Sequence, residues 1–246
     1  MQISKTIILI PSRLKSRRLP NKPLLKIKGI SMINHVYRKA VKASLGEVFV
    51  ATGDKKIYQE VIKNGGNCIL TKKKHKTGTD RIYEALNKIK SKKYKYIINL
   101  QGDEPMIDIN DLRNLNSKIT SKNLDMGTLA SKISLKKKIY NKNIVKVQTE
   151  KNLLKNKISK ANAFFRNSTK SKNIYHHIGV YIYKRQVLKK FVLLKQTQKE
   201  KKNNLEQLRA IENNIKIHVV LAKSTPIGVD TYQDYKKIKN LFKKIH

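Results

Sequence analysis

The chain predicts an α/β fold, a mostly parallel sheet with helices on both faces and a mixed second half. Three observations carry that expectation. Through the first half, short β-rich runs alternate with segments whose apolar positions recur every three or four residues. One of these runs, Tyr96 to Leu100, is apolar apart from Asn99, which suits a strand buried on both sides. Repeated strand, helix, strand order implies right-handed crossovers and hence parallel strands covered by helices.

The elements follow in order. Thr6 to Ile10 reads as the first strand, and a helix from about Ser31 to Ala43 presents Met32, Ile33, Val36, Tyr37 and Ala40 on one face. Val48 to Ala51 is the next strand, a helix lies near Ile57 to Ile62, Gly65-Gly66 breaks it, and Cys68 to Leu70 is a third strand. Thr79 is read as the cap of a helix with face Ile82, Tyr83, Leu86 and Ile89. After about residue 125 the pattern loosens into strand-like pieces at Gly127 to Ile133, Ile144 to Gln148 and His177 to Tyr183. A helix marked by Leu205, Leu208 and Ile211 follows, with Asn203 or Asn204 as cap, then a strand at Ile215 to Leu221 and a helix from about Tyr232 to Phe242. With no Pro-, Gly- or Ser-rich linker and no internal repeat, the expectation is one domain over 1–246, with a soft boundary near 125.

At 246 residues and 39% apolar, the chain can bury one large or two small cores. Lysine and arginine number 56 against 16 acidic residues, so 56 − 16 gives +40, a charge that raises nucleic acid or an anionic membrane as partners. The basic residues are spread end to end, as at Lys72 to Lys74, Lys136 to Lys138 and Lys189 to Lys190, among many Asn and Ile residues and without tryptophan. A nucleic-acid footprint requires clustering, so compositional bias is the preferred reading and no dedicated nucleic-acid binding is expected. The single cysteine, Cys68, excludes a disulfide framework and a multi-thiolate zinc site and fits a reducing compartment, with the cytoplasm as the expectation. No apolar run approaches the roughly 18 residues of a membrane span, and Thr6 to Ile10 is too short for a signal-peptide core.

The ten glycines never fall two apart, so neither a G-x-G-x-x-G nor a Walker A motif exists. The first strand instead leads into Pro11 to Leu24, where Arg13, Lys15, Arg17, Arg18 and Lys22 sit on a loop stiffened by three prolines. Loops after parallel strands lie on the carboxyl edge of the sheet, where open α/β folds bind ligands, so these cations can reach a triphosphate. Gln101-Gly102-Asp103-Glu104-Pro105 leaves the buried strand on the same edge. A carboxylate facing phosphates implies an intervening cation, and Asp103 is assigned to Mg²⁺ on that ground, with a turn aspartate that satisfies backbone N–H groups as the alternative. Asp230, in Gly228-Val229-Asp230-Thr231, can cap the last helix or join Asp103, and spacing favours the cap. Thr77-Gly78-Thr79-Asp80-Arg81 can contact an anion or base or serve as ordinary capping. The six histidines form no metal-ligand pattern, and no serine sits in a G-x-S-x-G elbow.

Together these segments resemble the 3-deoxy-manno-octulosonate (Kdo) cytidylyltransferases, the CMP-Kdo synthetases of lipopolysaccharide synthesis. The resemblance spans most of the chain: ILIPSRLKSRRLPNKPL from Ile8, MINHVY from Met32, VATGD from Val50, TGTDR from Thr77, INLQGDEPMI from Ile98, VKV from Val145, HIGVY from His177, LEQLRAIEN from Leu205 and GVDT from Gly228. R-L-P-x-K-P-L separates this family from the similar sialic-acid cytidylyltransferases. The resemblance implies a Rossmann-like nucleotidyltransferase fold, reaction of CTP with Kdo to CMP-Kdo and pyrophosphate, Mg²⁺, and a homodimer. It places Arg13, Arg18 and Lys22 on the phosphates, Gln101 beside the nucleotide, and Thr79 and Arg81 with it. It makes Asp103 and Asp230 the metal-binding aspartates, with Arg13, Lys22, Asp103 and Asp230 as the catalytic set. Arg166, His177, Tyr181, Glu206 and Gln207 fall where the family binds the sugar. The chain departs from the family's Y-F-S-R-A-x-I-P, reading Ala163-Phe164-Phe165-Arg166-Asn167-Ser168, and Lys15 and Arg17 replace smaller residues. The acceptor alternatives are therefore 8-amino-Kdo or another ulosonic acid, and the alternative of another class is a basic nucleic-acid-binding protein.

Overall fold

The computed structural model describes residues 5–16, 18–133, 140–167 and 172–244; Arg17, Lys136 to Lys138 and Ser168 lie outside them. The elements run β1 (Thr6–Ser12), the short pair β2 (Lys26–Ile27) and β3 (Ile30–Ser31), α1 (Met32–Lys42), β4 (Val48–Thr52), α2 (Lys55–Lys63), β5 (Cys68–Leu70), α3 (Gly78–Ile89), β6 (Tyr96–Asn99) and α4 (Ile109–Ser121). The chain continues through β7 (Met126–Ser131), β8 (Lys146–Thr149), α5 (Leu153–Asn156), β9 (Ile158–Phe165), β10 (Ile174–Lys184), α6 (Arg185–Leu193), α7 (Gln198–Asn203), α8 (Gln207–Glu212), β11 (Ile217–Leu221) and α9 (Tyr232–Lys244). Two compact units result, Met1–Asn110 with Pro226–His246, and Asp111–Thr225.

In the first unit the strands lie in the order β5-β4-β1-β6, and every pairing is parallel, as the crossover argument requires. β1 is buried at all seven positions, with Ile7 to Ile10 wholly enclosed, because it is a central strand covered on both faces. Helix α1 buries Met32, Ile33, Val36, Tyr37 and Ala40 as its spacing predicts, and also Asn34, which donates to Ser31 Oγ (2.9 Å).

The second unit is mixed. β10 pairs antiparallel with β7, β7 parallel with β11, β11 antiparallel with β9, and β9 antiparallel with β8. β8 also pairs with the start of β10, so the five strands form a closed circuit. Register shifts between Ile178 and Tyr181 mark a bulge in β10.

Several sequence expectations are corrected. The cap of α3 is Thr77, not Thr79: Thr77 Oγ1 accepts from the Asp80 N–H (3.1 Å) while Asp80 Oδ2 accepts from the Thr77 N–H (3.0 Å). Neither Asn203 nor Asn204 caps the helix around Leu208. Asn204 instead ends α7 in left-handed backbone, and Glu206 precedes α8. Helices α4, α6 and α7 and strand β9 were not anticipated.

Candidate active site

β1 delivers the chain to the carboxyl edge of the first unit, where the basic loop is held by three contacts. The Leu14 N–H donates to Asp54 Oδ2 (2.9 Å), and the Asn21 N–H closes the loop on the Leu14 carbonyl (3.3 Å). Leu19 enters a buried cluster with Ile27, Met32, Val229 and Ile238. Asp54 opens α2 without capping it by its side chain, so its carboxylate serves the loop, a role that sequence reasoning missed. Asn21 takes left-handed backbone (φ 54°), and Lys22-Pro23-Leu24 forms one 3-10 turn that leaves the Lys22 side chain only 14% exposed.

The Lys22 ammonium bonds Asp103 Oδ2 at 2.6 Å and Asp230 Oδ1 at 3.4 Å, and Arg18 Nη2 lies 3.0 Å from the same Asp230 oxygen. The two aspartates converge because the Val229 N–H donates to the Asp103 carbonyl (2.9 Å) while Val229 shares its apolar cluster with Leu19. Asp230 is not the cap of α9. Thr231 Oγ1 accepts from the Asp234 N–H (3.2 Å) and Asp234 Oδ2 accepts from the Thr231 N–H (3.0 Å), which leaves the Asp230 carboxylate to Lys22 and Arg18. Glu104 stands beside them. Its Oε2 is buried with no hydrogen-bond partner among the described residues, and burial, then Asp103 and Asp230, push its carboxyl up to about 8. A Cβ on Gly228 would come within 3.0 Å of Glu104 Oε1, so a glycine lets the Asp230 segment approach.

Gln101 Nε2 donates to Asn99 Oδ1 (3.2 Å), and Asn99 Nδ2 donates to Thr79 Oγ1 (3.3 Å). The one polar residue of the buried strand thus anchors both. Arg81 is buried, donating from Nη1 to Thr71 Oγ1 (2.6 Å) and the Lys72 carbonyl (3.1 Å) and from Nη2 to the Lys73 carbonyl (3.2 Å). Its side chain holds the loop after β5. Burial lowers its pKa, Asp54 opposes that, and Arg13 adds to it, so Arg13, Asp54 and Arg81 are electrostatic neighbours.

The second unit holds the residues that the resemblance gives to the sugar. Thr128 Oγ1 lies 3.0 Å from His177 Nε2 and donates to the carbonyls on either side of Gly179, those of Ile178 (3.2 Å) and Val180 (2.8 Å), fixing the bulge. His177 meets Phe164 edge to face at 5.2 Å and Tyr181 at 5.5 Å. Burial, with a smaller contribution from His176, drives its pKa down to about 3, so the imidazole is neutral at physiological pH. The buried Tyr181 hydroxyl has no hydrogen-bond partner among the described residues, and its pKa is raised by burial first. Rings continue through Tyr183 and Phe191 to the Arg209 guanidinium, 4.7 Å above the Phe191 ring. Arg209 is bidentate on the buried Glu200 (2.8 and 2.7 Å) and 3.6 Å from Glu206, so it orders α8 with Glu206 and the buried Gln207. Arg166 is half-buried and donates from Nη1 to the carbonyls of Lys142 (3.4 Å) and Asn143 (3.3 Å).

The first unit's acidic residues suit a hard divalent cation. Asp103 and Asp230 already share one ammonium, Glu104 supplies an orphaned buried oxygen beside them, and the donors are carboxylate oxygens. Among the described residues no group of three or more His, Cys, Asp or Glu side chains is placed to hold a metal ion by itself.

A profile of the cytidylyltransferase family matches residues 7–217. The 3-deoxy-manno-octulosonate cytidylyltransferase of Bartonella quintana (strain Toulouse) is 40% identical over 246 residues, covering 96% of this chain and 98% of that protein. The protein of the same name from Brucella ovis is 40% identical over 237 residues, covering 95% and 94%. A solved CMP:2-keto-3-deoxy-manno-octonic acid synthetase complexed with CTP superposes with a TM-score of 0.90 at 35% identity, covering 99% of this chain and 100% of that one. A UDP-glucose pyrophosphorylase, at 14% identity, a TM-score of 0.73 and coverage of 98% and 99%, shares the fold. With a family profile over most of its length and relatives at 40% identity across nearly all of it, the chain belongs to the 3-deoxy-manno-octulosonate cytidylyltransferase family.

Proposed function

We propose that the protein transfers the cytidylyl group of CTP to Kdo, giving CMP-Kdo and pyrophosphate for lipopolysaccharide synthesis. The observation that supports this most directly is the Lys22, Asp103, Asp230 and Arg18 cluster on the carboxyl edge of a parallel sheet in a chain of this family. The anomeric hydroxyl oxygen of the sugar forms a bond to the α-phosphorus, and the bond from that phosphorus to the bridging oxygen breaks. Pyrophosphate leaves with the electron pair, and the hydroxyl proton passes to solvent or base. Arg13, Arg18 and Lys22 bind the phosphate oxygens, and the proline-stiffened loop with its Asp54 anchor lets them do so without reorganising. Asp103 and Asp230 hold Mg²⁺, which when bound supplies positive charge to the phosphates and the departing pyrophosphate. Gln101, held by Asn99, orients the nucleoside, and Arg81 and Thr79 support its surroundings.

Arg166 takes the sugar carboxylate through its planar fork, and His177, Tyr181, Glu206 and Gln207 address the hydroxyls. The neutral His177 acts there as a hydrogen-bonding group. A homodimer and a cytoplasmic location belong to the same reading and rest on the family resemblance. No helix among the described residues is long and apolar enough to cross a membrane.

The test is pyrophosphate release across the four ribonucleoside triphosphates with Kdo, 8-amino-Kdo and a hexose 1-phosphate. Turnover requires CTP and a ulosonic acid, and Arg166→Lys raises the KM of the sugar acid more than that of CTP because the charge survives while the fork is lost. Activity with the hexose phosphate alone overturns the assignment. Raising the salt separates the other class of reading: binding across several nucleic-acid phosphates weakens steeply and log-linearly, whereas a triphosphate pocket responds mildly.

A further inference from the structure

Lys146, the first residue of β8, is fully buried, in a chain whose other lysines are mostly at the surface. Its Nζ donates to the carbonyls of Asn141 (2.7 Å) and Arg166 (2.6 Å). The Arg166 guanidinium donates in turn to the carbonyls of Lys142 and Asn143. Four charge-assisted bonds therefore clamp residues 141–143 to the end of β9, and the two cations stand close enough that Arg166 lowers the Lys146 pKa, after burial. No ion pair to a carboxylate forms at either cation among the described residues. Burying an ammonium with no counter-charge is costly, and a second cation beside it adds to the cost. Packing alone does not demand this, since Met or Leu would fill the same strand position. Such an arrangement is at its least stable when empty and is relieved when an anion binds.

We infer that Lys146 is a positioning residue for recognition of the sugar acid: it fixes the main chain at Arg166 and leaves the site a surplus of positive charge that the substrate carboxylate partly offsets. This rests on the reading above that Arg166 takes that carboxylate. An isolated arginine on a strand end would swing freely. Clamped at its carbonyl by Lys146 and at its guanidinium by residues 142 and 143, Arg166 presents its remaining N–H groups in a set direction.

The experiment compares the wild type with Lys146→Met, Lys146→Arg, Arg166→Gln and the double variant Lys146→Met/Arg166→Gln, by steady-state kinetics with CTP and Kdo and by thermal melting. Lys146→Met raises the KM for Kdo by about tenfold, as for loss of charge-assisted hydrogen bonds, and leaves that for CTP within about twofold. Lys146→Arg, which keeps the charge and the donors, stays within about threefold of the wild type. The double variant is no worse than Arg166→Gln, because the lysine acts through the arginine. Equal KM changes for both substrates, or full multiplication of the two single effects, overturn the inference. An unchanged Kdo KM in Arg166→Gln is the separate outcome that removes the reading of Arg166 itself. Should Lys146→Met fail to fold, Lys146→Gln carries the same comparison, and if neither folds, Lys146 is a structural residue and the inference fails.

Discussion

In the first unit Lys22 and Arg18 meet Asp103 and Asp230, whereas in the second Lys146 and Arg166 meet main-chain carbonyls and, among the described residues, no carboxylate. The first arrangement balances its charges internally, so it can stand assembled before a ligand arrives. The second carries a surplus. The difference shows that in a chain of net charge +40 the cations are not alike: some are buried or tethered, with or without a counter-charge, and most are not.

Breaking the balanced side has the largest expected effect. Asp103→Asn removes one carboxylate charge beside Lys22 and lowers turnover by about a thousandfold, roughly 4 kcal/mol, with little change in melting temperature. Pyrophosphate release at saturating Mg²⁺ checks it, and near-normal turnover removes Asp103 from the metal site. In the second unit Glu200 and Arg209 form a buried ion pair. Glu200→Gln removes the bidentate counter-charge of the guanidinium, leaving only the longer contact to Glu206, and costs about 3 kcal/mol, a fall of roughly 6–12 °C in the melting midpoint, while the KM for CTP hardly moves. A melt unchanged within error contradicts that account.

Smaller effects separate tethered from free cations. Lys22→Ala and Arg13→Ala each reduce kcat/KM by about thirtyfold, roughly 2 kcal/mol, whereas the exposed Lys73→Ala, an equal loss of charge, changes it by less than about twofold. Equal losses at all three would mean that the overall field, not the loop, does the work. The least dramatic test concerns His177. Its folded-state pKa of about 3 lies below the ordinary 6.5, so the unfolded chain binds the extra proton between those values and stability rises with pH there. Its contribution is fully present above about 6.5 and lost by about 1.4 kcal/mol per pH unit as the pH falls toward 3. Denaturant titrations of the wild type and His177→Asn at pH 7 and pH 5 should diverge in that direction. Parallel pH dependence would show that the imidazole is not buried neutral.

Much of the first unit was legible because its strands are central and its helices amphipathic: β5 falls on Cys68–Leu70, and α1 lies within one residue of each expected bound. The carboxyl-edge placement of the basic loop and of Asp103 followed from topology alone. The cap of α3 was misplaced although the signal was present, since a capping box needs an acid three residues after the cap and only Thr77 with Asp80 satisfies it. The same rule, applied to Thr231 and Asp234, would have freed Asp230 from capping without any appeal to resemblance. Strand β9 was missed because its inward positions include Ser159 and Ala161, which carry little hydrophobic signal. Helix α4 hides its face of Leu112, Leu115 and Ile119 among Asn and Ser. The roles of Asp54 and Lys146 leave no mark in a sequence crowded with lysine; both are set by main-chain partners distant or irregular in the chain.

The apolar cluster that joins Leu19 to Val229 also sets a timetable. During synthesis the basic loop, Lys22 and Asp103 emerge early, and the whole of the second unit follows before Pro226 returns the chain to the first. Until then Leu19 lacks Val229 as a packing neighbour and Lys22 lacks Asp230. The acidic pair of Asp103 and Asp230 around Lys22 is therefore assembled only when the last segment of the chain has returned to the first unit.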